Sequence, residues 1–310
     1  MLEMLEMEFM QRAWLAGLIM AVICPLIGSF LVLRRQSLLG DGLGHIAFAG
    51  VAGGALWGYS PVLSAAAATI LGALAIEQVR ARLRDVADMV LAIFFYSGMG
   101  LAVIFTGLNK EHGFNLGSIL FGSLMTVSGR DLLTVAVLAL CTVIFVALFY
   151  RELQYLTYDE TSAKVAGLPV GRLNLLLALL TALTVALSMR IVGLLLVSAM
   201  MVIPVACALQ TARSFAGTIA QSMVYGLLSV SLGLTISYYA NLAPGGTIVL
   251  TGTGLFLLSL FFGRSSTGKQ APPDDCNCEI CQEEALEEAA KERTDHTHGC
   301  SCKEGHNHEG

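Results

Sequence analysis

Between Ala13 and Phe262 the chain returns nine times to a mainly apolar stretch of about twenty residues, the length a helix needs to cross a hydrocarbon core of about 30 Å. With 55% hydrophobic residues, 13% charged residues and a mean hydropathy of +0.72, the chain suits a bilayer better than water. The fold class expected is an all-α integral membrane protein, a polytopic helical bundle of about nine spans, eight to ten being compatible with the pattern. The stretches are Ala13 to Leu33, Leu38 to Tyr59, Val62 to Gln78, Met89 to Leu108, Leu132 to Tyr150, Leu173 to Met189, Ile191 to Gln210, Phe215 to Tyr239 and Thr247 to Phe262. Leu116 to Val127 is apolar but too short to cross, and reads as a re-entrant or interfacial segment.

Threading the spans alternately places Arg34, Arg35, Arg80, Arg82, Arg84, Arg151, Lys164, Arg172, Arg213 and Arg264 on one side. Arg12, Lys110, Arg130 and Arg190 fall on the other. Positive residues concentrate in cytoplasmic loops, so the first side is expected to be cytoplasmic, with the N-terminus outside and the C-terminus inside a bacterial-type cytoplasmic membrane. The opening MLEMLEMEF has no basic residue, unlike the charged start of a cleaved signal peptide, and the first span is expected to be retained.

At Gly263 the character changes. Residues 264–310 hold eleven acidic and five basic residues, whereas residues 1–263 hold twelve and thirteen, so the net charge of −5 belongs to the end of the chain. Two domains follow: a transmembrane domain, 1–263, and a disordered, acidic, Cys/His-rich cytoplasmic tail, 264–310. Within the tail Cys276, Cys278, Cys281, His296, His298, Cys300, Cys302, His306 and His308 form a dense set of metal ligands. Their spacing is not that of a zinc finger, and an adaptable metal site is expected.

The stretch GDGLGHIAFAG places Asp41 and His45 on one face of a helix, one turn apart. A capping role would account for Asp41, since carboxylates favour helix starts, but not for His45. Ionisable groups inside a span are costly and usually face a pathway, and carboxylate with imidazole is a donor pair for a divalent cation. Two ligands are half of a typical transition-metal set, and a second copy of the chain across a two-fold axis is expected to supply the other half. Gly40, Gly44, Gly50, Gly54 and Gly58 give this span small-xxx-small spacing, so it is expected inside the bundle.

A cytoplasmic loop, DETSAKVAGLP, opens on Asp159 and Glu160, carries Ala163, Lys164 and Ala166, and closes on Gly167 and Pro169, as a short capped helix should. Cys24, Cys141 and Cys207 fall in apolar spans and read as small core residues. His112 reads as an exposed residue of an outer loop. GRSSTGKQ lacks the Ser or Thr of a phosphate loop at Gln270 and follows an apolar helix, so the chain is not expected to be an enzyme or to hydrolyse ATP.

LVLRRQSLLGDGLGHIAFAGVA, YDETSAKVAGLPV, VGLLLVSAMMVIPVACA and YYANLAPGGTIVL, in that order, resemble the membrane subunit of the ABC-type zinc and manganese importers, the ABC-3 permease family, from about Phe9 to Phe262. The resemblance implies a homodimeric permease, a separate cytoplasmic ATP-binding subunit and an extracytoplasmic metal-binding protein, with membrane lipids around it and no nucleic acid. It implies that Asp41 and His45 line metal passage, that Pro244 and Gly245 form a turn before the last span, and that Asp159, Glu160, Ala163, Lys164 and Gly167 belong to the coupling helix. No intrinsic cofactor is expected; the cargo is Zn2+, with Mn2+ or Fe2+ as the alternative. Thiolates and imidazoles in the tail favour zinc over manganese. The tail lies beyond the resemblance; feedback inhibition is expected of it, with delivery or buffering of metal as the alternatives. A metal-sensing membrane protein without an ATPase is the reading from another class.

Overall fold

The computed structural model describes residues 8–83, 86–108, 122, 128–240 and 242–263, and these are almost wholly helical. In chain order they form α1 (Glu8–Leu33), α2 (Leu38–Leu56), α3 (Pro61–Arg82), α4 (Ala87–Leu108), α5 (Gly129–Leu148), α6 (Tyr150–Tyr158), α7 (Glu160–Val165), α8 (Val170–Val192), α9 (Leu194–Thr211), α10 (Phe215–Ala240) and α11 (Pro244–Gly263). Eight of them are long and apolar enough to cross a membrane. α2, also long, falls short of that hydropathy because glycines, Asp41 and His45 interrupt its apolar residues. It is compensated by position, since twelve of its nineteen residues are buried. The segment Leu116 to Val127, apart from Gly122, lies outside the described residues, as do His112 and the tail.

Burial ranks the helices. The apolar window of α1 is 72% buried and that of α8 is 61%, whereas those of α3, α4 and α5 are 22% buried. α1 is therefore a central post and α3 to α5 present Leu63, Leu71, Ile93, Val103, Leu133 and Leu140 outward. In water such surfaces would demand a partner; in a bilayer the acyl chains cover them. Helix association there rests on close packing rather than on apolar burial, and small residues permit it. At Gly28 of α1 the contact is with main chain: a Cβ would fall on the carbonyl of Met201 in α9.

Two details depart from the expected pattern. The seventh span does not begin at Ile191, because Ile191 and Val192 complete α8 and the chain breaks at Gly193, whose φ of +90° ends one helix before α9 starts. Cys24 and Cys207 are core residues as expected, but Cys141 is exposed. Val135, Leu138, Thr142 and Val146 carry the buried stripe of α5 at helical spacing, and Cys141 falls beside it.

Ionic contacts mark the two ends of the bundle. Arg34, just beyond α1, stands 3.7 Å from Glu160 at the start of α7. Arg190, near the end of α8, stands 3.8 Å from Asp131 at the start of α5. α8, whose 23 residues span about 34 Å at the helical rise, separates these two levels.

Candidate functional site

Asp41 is inside α2, whose N-cap position is held by Ser37, so it is a first-turn residue and not the cap. Half-buried, it lines a cavity of about 550 Å³ together with Ser198 and Ala199 of α9 and Gly245 and Gly246 of α11. The Asp41 motif thus meets two others that lie more than 150 residues further along the chain. Pro244 is the first residue of α11 rather than part of a turn before it, which suits proline because the missing N–H there has no intrahelical partner. The two glycines leave the first turn of α11 without side chains where it faces the cavity. Ser198 is buried and its Oγ has no partner among the described residues. Leu195 and Leu250, both exposed, rim the opening.

His45, one turn on, is not among the residues lining that cavity. Its ring meets the edge of Phe95 in α4, with centroids 4.7 Å apart and planes at 80°. Gly98 makes this approach possible: a Cβ there would lie 3.0 Å from the Ile46 nitrogen and 3.2 Å from the His45 carbonyl carbon. The other side of α2 is as tight, because a Cβ at Gly44 would strike the Leu194 side chain. So the small-residue spacing holds α2 against its neighbours on both sides, and His45 is fixed from behind. Its Nδ1 is buried and has no hydrogen-bond partner among the described residues. A polar atom buried without a partner is unfavourable by about 1–3 kcal/mol, and a bound cation would relieve that. Among the described residues no group of three or more His, Cys, Asp or Glu side chains is placed to hold a metal ion. The nine Cys and His residues of the tail, Cys276 to His308, lie outside the described residues.

The loop Tyr158 to Pro169 is built as a unit. Asp159 caps α7, accepting from the Thr161 N–H at 2.8 Å and from the Ser162 hydroxyl at 2.5 Å. At the other end Gly167, φ +79°, donates to the Lys164 carbonyl and Leu168 donates to the Ala163 carbonyl, the paired closure of a helix that ends on a left-handed glycine. Ala163 is buried against Leu156, Val170 and Leu173, so it seats α7 on the bundle instead of facing outward. The large outward apolar residue of α7 is Val165, 86% exposed, with Tyr155 and Tyr158 nearby in sequence also exposed.

Beneath α7 is a charged cavity of about 580 Å³. Lys164 donates to Glu160 at 2.5 Å, Arg80 to Glu77 at 2.6 Å, and the second Nη of Arg34 to the Asn174 Oδ1 at 2.8 Å. Hydrogen bonds from the Ser162 side chain and the Thr161 main chain hold the Asp159 carboxyl below its ordinary range. Burial raises the Glu160 carboxyl, but the Lys164 hydrogen bond and the charges of Lys164, Arg34 and Arg80 together outweigh it and leave the value low. Depressed carboxylates stabilise the folded state above their unfolded pKa and lose that contribution as pH falls through the folded value, so the anchoring of α7 weakens in acid.

The profile of the ABC 3 transport family matches residues 6–263. The chain belongs to the ABC 3 transport family. A protein of Treponema pallidum described as a probable metal transport system membrane protein is 36% identical over 85% of this chain and 100% of its own length. The high-affinity zinc uptake system membrane protein ZnuB of Haemophilus influenzae is 30% identical over 82% of this chain and 97% of its own length. A chain in the structure of PsaBC from Streptococcus pneumoniae in complex with Fab superposes with a TM-score of 0.74 at 30% identity, covering 84% of this chain and 94% of its own. Other relatives are described as manganese and iron transport system membrane proteins. The chain is accordingly a multi-pass membrane permease, homologous to the permeases of manganese, zinc and iron importers. It is not the ATP-hydrolysing component, which in this family is a separate subunit.

Arg34, Asn174, Ser198 and Val165 were not singled out as site residues by the sequence pattern. Arg34 was read only as one of many basic loop residues. Asn174 and Ser198 are lone polar residues within apolar runs, a signal present but shared with many buried hydroxyls.

Proposed function

We propose that this permease is the translocating subunit of an ATP-driven importer of divalent metal ions, that zinc is its cargo, and that two copies form the pathway. The observation that carries the reading is α2: a carboxylate facing a cavity and, one turn away, a buried imidazole with an unpartnered nitrogen, on a helix fixed on both sides. One copy offers two ligands, and the exposed leucines at the cavity mouth suit burial against a second copy. Two copies would bring two aspartates and two histidines, a donor set that suits zinc. Zinc is favoured over manganese or iron by the tail, whose nine Cys and His residues form a second place for the metal on the cytoplasmic side. Metal gathered there would report the internal concentration and slow import.

The ten-to-four distribution of basic residues supports a cytoplasmic position for the Arg34 and α7 end, with the N-terminus outside. There α7 would dock on the ATPase, and an extracytoplasmic binding protein would deliver metal to the opposite end. Val165 is the side chain best placed to enter a partner's groove. Val165→Glu should reduce co-purification of the ATPase about tenfold or more while leaving the permease folded, because an exposed apolar anchor at an interface centre is typically worth about 2 kcal/mol or more. Unchanged ATPase affinity would remove Val165 from the interface.

The deciding experiment is uptake into proteoliposomes containing the permease and its ATPase, with zinc, manganese and iron compared, and with the full chain beside a form lacking residues 270–310. ATP-dependent uptake with zinc preferred is expected, together with weaker inhibition by internal zinc in the shortened form. Uptake of manganese or iron in preference would reassign the cargo. Metal binding with no ATP-dependent uptake would replace a transporter by a sensor.

A further inference from the structure

Arg34 is a buried charge only partly compensated by its neighbours. Its side chain is 5% exposed, one Nη is committed to Asn174, Glu160 is 3.7 Å away, and the other Nη is buried with no partner among the described residues. The two nearby carboxylates are already engaged, Glu77 by Arg80 and Glu160 by Lys164. Among the described residues three cations, Arg34, Arg80 and Lys164, thus share one cavity with two anions, an excess of one positive charge. Burial, followed by the charge of Arg80, brings the guanidinium down to about 10, against the opposing pull of Glu160 and Glu77. A buried guanidinium that keeps an unused N–H is unfavourable until an anion takes it up.

We infer that the cavity beneath α7 is an anion site that takes a phosphate group, carried by an anionic lipid headgroup or by a soluble phosphate. Donors from three elements line it: the uncommitted Nη of Arg34 from the α1 end, the guanidinium of Arg80 from α3 and the ammonium of Lys164 from α7. At about 580 Å³ the cavity has the size of a small-molecule site and exceeds what a halide would fill. A carboxylate reaching in from a docked protein fits less well, because the Arg34 side chain is almost wholly enclosed. An occupant here would tie α7 to the ends of α1 and α3, so occupancy would set how firmly α7 is seated. This goes beyond metal import and does not depend on which metal is carried.

The test uses the purified full-length chain in neutral detergent, without ATPase or metal. Inorganic phosphate, dihexanoyl phosphatidylglycerol and dihexanoyl phosphatidylcholine are titrated, with thermal stability and native mass spectrometry as readouts. Saturable binding of phosphate or phosphatidylglycerol is expected, with Arg34→Gln weakening it about tenfold or more, the worth of one charge-assisted hydrogen bond. Lys164→Ala and Arg80→Ala should each weaken it as well, and they decide the matter if Arg34→Gln does not fold. Binding of phosphatidylglycerol with little affinity for free phosphate identifies a lipid source; the reverse identifies a soluble one. Absence of saturable binding, wild-type binding by all three variants, or equal retention of phosphatidylcholine would overturn the anion site.

Discussion

Asp41→Ala should lower metal uptake in proteoliposomes about a hundredfold or more, since losing even a group that supports a metal ligand typically weakens affinity about 10–100-fold. Asp41 is the only ionisable side chain lining its cavity among the described residues, and apart from Ser198 the walls around it are apolar or glycine. A cation entering such a space gives up water, and a carboxylate is the group able to repay that loss. Asp41→Asn keeps the shape and removes the charge, so it should fail nearly as badly. Both variants should insert and remain folded, because Asp41 is half-buried and faces open space instead of a packed neighbour. Wild-type uptake by Asp41→Ala would end the pathway reading, whatever the metal.

The largest effect on stability is expected at Gly28. A Cβ there would overlap the Met201 carbonyl and crowd its Cα, and main chain cannot rotate aside as the end of a side chain can. Overpacking of ordinary cores costs about 1–3 kcal/mol, so Gly28→Val, which drives α1 from α9 at the centre of the bundle, should exceed about 3 kcal/mol. The expected result is loss of folded protein on extraction, or a sharply lowered midpoint in thermal unfolding. Gly28→Ala should show the same trend more weakly. Gly100→Ala is the control: nothing lies within 4 Å of its added Cβ, and alanine is the better helix former, so its midpoint should match or exceed the wild type. A Gly28→Ala midpoint equal to that of Gly100→Ala would mean α1 and α9 are not in main-chain contact.

Much of the candidate site is legible in the sequence because it rests on local chemistry. Asp41 and His45 stand out as charges in an apolar run, and Asp159 and Gly167 as the two ends of a short helix. Their surroundings were not legible. Ala163 looks like a docking residue in DETSAKVAGLP, yet it is buried under α7, and Val165 two positions later takes the outward place. Which of the two points inward depends on where α6 and α8 lie, and no local pattern encodes that. Cys141 illustrates the same limit, because α5 is apolar on every side and only its neighbours decide which side is core.

The sequence by itself determined the approximate ends of the long helices among the described residues, and their number to within one, since span length and backbone satisfaction in hydrocarbon are properties of each segment alone. It also determined the family, through motifs in a fixed order. The tertiary structure decided what those motifs do together. It put Asp41, Ser198 and Gly245 around one cavity, placed His45 against Phe95 and outside that cavity, and enclosed Arg34 with Asn174 and Glu160. Hydropathy places a helix in the membrane but is nearly indifferent to its rotation and neighbours there, because lipid and protein interior are similarly apolar. Close packing of small residues and a few polar contacts settle both, and these interactions join residues far apart in the chain.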